Sequence, residues 1–148
     1  MIPIVNLFFP VQIFLNAIIA WIEGYLDGKQ ILKGKYPEHM LSAAVRVGIN
    51  LATVVVVYYM VLGFTIIACA LIFVGSLAVY WLFIDLSINI TRNKDLFYVG
   101  RTAKTDRAIR KISKLMDKIL PGNGIDGQHV AIFKGMLVFV CVTVFYSL

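Results

Sequence analysis

At 148 residues, 60% hydrophobic and only 15% charged, the chain is far more apolar than soluble domains, which are about 45–50% apolar and about 25% charged. A mean hydropathy of +0.86 excludes a separate soluble domain and leaves one integral membrane unit spanning 1–148. The net charge of +6 would suit nucleic acid, but its cations flank apolar spans, which points to anionic lipid instead.

The first residues, Met1 to Val5, carry no basic group and no small-residue cleavage site follows, so no signal peptide is expected. Ile2 to Ile22 is uncharged and long enough to span, although Pro3, Pro10, Gln12 and Asn16 interrupt it, and Pro10 is expected to kink it. A polar connection, Glu23 to Glu38, follows, with Lys29, Lys33 and Lys35 and with Gly24, Gly28 and Gly34 as turn residues. Val47 to Ile84 is then uncharged over 38 residues. As one helix it would be about 57 Å long, roughly twice a ~30 Å hydrocarbon core. It must fold back, and Gly63 is the expected turn because glycine adopts positive φ at little cost.

Beyond the hairpin, Thr91 to Gln128 holds nine basic and four acidic residues. Within it Ala108, Ile109, Ile112, Leu115, Met116 and Ile119 recur at helical spacing, which predicts a basic amphipathic helix over about 102–120. Its Lys104, Arg107, Arg110, Lys111, Lys114 and Lys118 are the expected contacts for anionic headgroups or a partner. Val130 to Leu148 reads as a last span, with Lys134 snorkelling from its first turn. The fold expected is therefore an all-α membrane protein with four transmembrane helices, about 2–22, 41–62, 64–90 and 130–148. Thirteen of the 14 cations lie in or beside the two polar connections, so these are read as cytoplasmic, with both termini extracytoplasmic. The expected location is a bacterial cytoplasmic membrane, or the internal membrane of a virus.

Two constellations draw attention. Ala44, Gly48 and Ala52 form a small-residue stripe, a packing face either for the third helix or for a second subunit. Asp85, Asn89 and Arg92, at i, i+4 and i+7, share a helix face, and Arg46 lies comparably far from Gly63 on the other arm of the hairpin. An Arg46–Asp85 ion pair is therefore expected, joined by Glu23, serving as a structural staple or as the lining of a polar cavity. His39 and His129 begin the second and fourth helices without a third ligand at recognisable spacing, and Gly122, Gly124 and Gly127 match a dinucleotide fingerprint without its strand. No nucleophile sits beside a base, so neither catalysis, metal nor cofactor is expected.

The stretch Trp81 to Arg107, about 27 of 148 residues, resembles small uncharacterised multi-span membrane proteins encoded by phages and related bacterial genomes. In these an apolar helix ends in an Asp, Asn and Arg series and enters an aromatic-Tyr-x-Gly-x-Thr-Ala-x-x-Asp loop. The matching positions are Asp85, Asn89, Arg92, Tyr98, Gly100, Thr102, Ala103 and Asp106. The resemblance implies a phage or prophage origin and carries no activity with it. The function expected is a non-enzymatic oligomeric or accessory component of a membrane-embedded, phage or viral assembly, working with copies of itself or with other membrane subunits. The alternatives are a small pore, holin-like or transport subunit with a polar cavity at the cytoplasmic helix ends, and, third, an enzyme acting on lipid headgroups.

Overall fold

The structure, a computed structural model, describes residues 7–35, 39–98, 111, 114–115 and 128–147, and all regular structure among them is helical. Helix α1 is Phe8–Leu32; α2 is His39–Thr53 and continues as a π-helical segment, Val54–Val61; α3 is Ile66–Thr91; α4 is Gln128–Ser147. Each is long and apolar enough to cross a membrane, and together they define an all-α integral membrane protein.

The helix stops have local causes. Gly34, at φ 74°, closes α1: the Lys35 amide donates to Gln30 O and the Gly34 amide to Ile31 O, so the last carbonyls are satisfied by a left-handed C-cap. Asn93, at φ 52°, does the same for α3, where the Lys94 amide donates to Asn89 O. Gly63, at φ 66°, makes the expected hairpin turn after the π-helical segment, and the Thr65 hydroxyl then caps α3 by accepting from the Ala68 amide at 3.2 Å.

The first helix differs from expectation. It does not end near Ile22 but runs ten residues further, to Leu32, so that Gly24 and Gly28 are helical rather than turn residues. Their role is close approach. A Cβ at Gly24 would lie 2.6 Å from Ile84 O and 2.8 Å from Ser87 Cβ, and one at Gly28 would lie 2.7 Å from Thr91 Cβ. Gly24-x-x-x-Gly28 of α1 thus meets Ser87-x-x-x-Thr91 of α3, small residues on both sides letting the two backbones touch. Ser87 adds a hydroxyl donated to Trp21 O at 2.7 Å. Pro10 falls in the first turn of α1, where a missing amide hydrogen leaves no carbonyl unpaired, so the expected mid-helix kink has no cause there.

Helix α3 is the centre of the bundle: 44% of its most apolar 18-residue stretch is buried, against 17–22% in the other three. Near the Gly63 end, Phe9, Tyr58, Cys69, Ile72, Cys141 and Phe145 form the apolar core, with Phe9 and Phe145 edge to face at 4.7 Å between ring centroids. Gly75 admits this packing, since a Cβ there would stand 3.2 Å from Phe9 Cζ and 3.3 Å from Cys141 Cβ. Both cysteines are buried free thiols. The contacts make α1 and α3 parallel and α2 and α4 antiparallel to them. Gly63, Phe9 and Phe145 therefore lie at one end of the bundle, and Gly28, Thr91 and the ends of the two polar connections at the other.

Candidate functional site

Helices α1 and α2 meet through polar side chains rather than through close backbone packing. From the hairpin end inward, the Tyr58 hydroxyl donates to Phe8 O at 3.0 Å. Next come the amides. Gln12 Nε2 donates to Asn50 Oδ1 at 3.2 Å, and Asn50 Nδ2 donates to Asn16 Oδ1 at 3.2 Å and to Arg46 O at 3.1 Å. Asn16 and Asn50 are buried, so these bonds satisfy amides that burial removes from bulk solvent.

Toward the other end the seam becomes ionic. Arg46 donates to Glu23 Oε1, and the Tyr80 hydroxyl of α3 donates to Glu23 Oε2 at 2.5 Å, with the guanidinium also lying 5.4 Å from the Tyr80 ring centroid. Both carboxylate oxygens of Glu23 are thereby used, by two different helices. An isolated charge at the centre of a membrane helix costs about 2.5–3.5 kcal/mol, and pairing is what makes it tolerable. The expected Arg46–Asp85 pair is corrected by this geometry: Arg46 takes Glu23, and Asp85 turns to α4.

There Lys134 Nζ donates to Asp85 Oδ2 at 2.5 Å and sits 4.0 Å from the centroid of the Trp81 ring. Lys134 is 4% exposed, so it does not snorkel to an interface; it is the buried half of a second ion pair, between α3 and α4. Asp85, Asn89 and Arg92 lie along one stretch of α3 with different partners. The buried Asn89 amide donates to Leu96 O and Tyr98 O, both at 2.9 Å, and pins the loop leaving α3. Arg92 is the C-cap residue, 5.9 Å from the Tyr98 ring centroid.

Gln12 and Asn16 stand out in the sequence only as interruptions of the first span, and Asn50, Ser76 and Tyr80 do not stand out at all. Their signal is polar residues one or two turns apart along apolar runs, such as Arg46 with Asn50, and uncharged groups weaken a hydropathy profile too little to mark a site. Ala44, Gly48 and Ala52 are exposed, and nothing lies within 4 Å of a Cβ built at Gly48, so the stripe does not serve α3. In the expected amphipathic helix, Lys111, Lys114 and Leu115 are helical and exposed, while Lys104, Arg107, Arg110 and Lys118 lie outside the described residues, as do Gly100, Thr102, Ala103 and Asp106.

No family model, no curated protein and no solved structure matches the chain.

Proposed function

We propose that the chain is a non-enzymatic membrane subunit that works by assembling in the bilayer, with copies of itself or with other membrane proteins. The observation that supports it most is how the intramembrane charges are spent: Glu23 on Arg46 and Tyr80, Asp85 on Lys134, each tie joining two helices of one bundle. Charges engaged this way hold helix register and leave the outer faces to make the contacts. The outward stripe of Ala44, Gly48 and Ala52 is the face we assign to a neighbouring helix. The basic segment from Lys104 to Lys118 is assigned to anionic headgroups, in keeping with the exposed Lys111, Lys114 and Leu115. The resemblance of Trp81 to Arg107 favours a phage-encoded assembly, and the cation distribution favours a cytoplasmic membrane with both termini outside.

The test is the mass of the intact particle in mild detergent, combined with ion flux in liposomes. A defined oligomer or complex that collapses to the single chain on Gly48→Leu, with no flux, is the expected outcome. A monodisperse monomer that leaks ions would sink this reading in favour of a small pore or transport subunit. That second reading draws on the polar seam between α1, α2 and α3, and it requires Glu23→Gln to change the flux.

A further inference from the structure

Two buried polar atoms of the seam, Ser76 Oγ and Arg46 Nε, have no hydrogen-bond partner among the described residues. A hydroxyl on a membrane helix ordinarily donates to the carbonyl four residues earlier. Thr53, Thr143 and Ser147 all do so here, to Ile49 O, Phe139 O and Thr143 O, at 2.9 Å each. Ser76, fully buried at 0% exposure, does not. Its hydroxyl is therefore turned to something other than its own helix.

The hairpin register shows where it sits. Arg46 of α2 lies against Tyr80 of α3. Because the two arms are antiparallel, one turn toward Gly63 takes Arg46 to Asn50 and Tyr80 to Ser76. Ser76 thus stands level with the Gln12, Asn16 and Asn50 amides, and one turn from the Glu23, Arg46 and Tyr80 group. One helical turn is about 5.4 Å, the reach of a single water making two bonds of about 2.8 Å. We propose that internal water is bound in the α1–α2–α3 seam between Ser76 Oγ and Arg46 Nε, joining the amide level to the ionic level. Water is the ligand that fits, because one unpartnered atom can only donate and the other can donate or accept. A small anion would meet the Glu23 carboxylate beside it. Buried waters make about three hydrogen bonds, and Asn50 Oδ1, which accepts one bond from Gln12, has a second lone pair at the level of Ser76. Toward the hairpin the seam is closed by Phe9, Tyr58 and Ile72, so the site is a hydrated pocket and not a continuous channel.

The experiment uses the full chain in lipid bilayers and measures magnetisation transfer from water to side-chain amide protons by solid-state NMR. Transfer to Asn50 Nδ2 should match that at exposed connecting residues, while the backbone amides of Val54 and Ile72 in the dry core stay dark. Absence of transfer at Asn50 would overturn the proposal, and this arm needs only the unmodified chain. Ser76→Ala provides the second arm. If the site is dry, removing an unpaired buried hydroxyl raises the melting temperature in detergent; if it holds water, the change lowers the melting temperature or leaves it unmoved, and transfer at Asn50 falls. A rise in melting temperature would count against bound water.

Discussion

Lys134 and Asp85 have unequal surroundings, and that inequality decides what each contributes. The lysine side chain is 5% exposed and the aspartate 46%. Removing one member of a fully buried pair costs about 3–5 kcal/mol, because the other is left charged and unpaired, whereas an exposed pair contributes about 0–1 kcal/mol. Asp85→Asn strands the buried ammonium over Trp81, so it should cost about 3 kcal/mol. Lys134→Met leaves a half-exposed carboxylate that water or headgroups can reach, and should cost about 1 kcal/mol. The double variant should be more stable than Asp85→Asn alone. Unfolding of the four proteins in one detergent gives the cycle, and equal costs for the two single changes would mean that the carboxylate is as enclosed as the amine. That Lys134 is buried could not be read from its position near the start of an apolar run, since snorkelling and pairing begin from the same residue spacing. Rotation of α4 about its own axis separates the two outcomes, and a nearly uniformly apolar helix carries almost no periodic signal of that rotation.

At the scale of the element, the spans were legible and their pairing was not. Bilayer thickness sets a length that any uncharged run must meet, which is why Val47 to Ile84 had to fold at Gly63. Which polar groups meet depends on the stagger between helices, and counting residues back from a turn assumes that α3's nearest neighbour is α2. Helix α1 overturned that assumption. It packs parallel to α3 through Gly24 and Gly28, places Glu23 opposite Arg46, and so removes Arg46 from Asp85. The glycine-x-x-x-glycine spacing was visible, but the charges of Glu23, Asp27 and Lys29 made the segment read as a loop. Gly24 and Gly48 now form a matched pair of tests. Gly24→Ala forces a methyl against a backbone carbonyl and should destabilise by about 1–3 kcal/mol, the usual range for overpacking. Gly48→Ala enters open space within the single chain and, in a detergent that holds the chain monomeric, should be neutral or stabilising by up to about 1 kcal/mol through helix propensity. Thermal unfolding in detergent measures both, and a tolerated Gly24→Ala would show that α1 and α3 do not touch there.

For the molecule as a whole, the contacts divide the bundle into two unlike ends. At the Gly63 end lie the aromatic core and the last turn of α4, while the ionic groups and the described ends of the two cation-bearing connections lie toward the opposite end. An up-and-down arrangement of four spans follows from those contacts alone, without reference to charge. The cation count then supplies direction, because the positive-inside rule acts on short connections and both of these are rich in lysine and arginine. Gly63 itself is a poor probe position, since a side chain there would be held at φ 66°. Lys33, Lys111 and Ser147 are exposed and serve better. In a background with Cys69 and Cys141 replaced by alanine, single cysteines at these positions should divide two against one. Lys33→Cys and Lys111→Cys should react with a membrane-impermeant maleimide only after the cytoplasmic face is opened, and Ser147→Cys should react in intact cells. Labelling of Ser147→Cys and Lys111→Cys from one side would mean an even number of crossings between them and refute α4 as a span, whereas Lys33 with Lys111 tests the hairpin: two crossings, α2 and α3, must return the chain to the side it left. Reaction of that pair from opposite faces would break the hairpin on which the polar seam depends, whereas a common face with inverted sidedness would keep the fold and overturn only the charge rule as its guide.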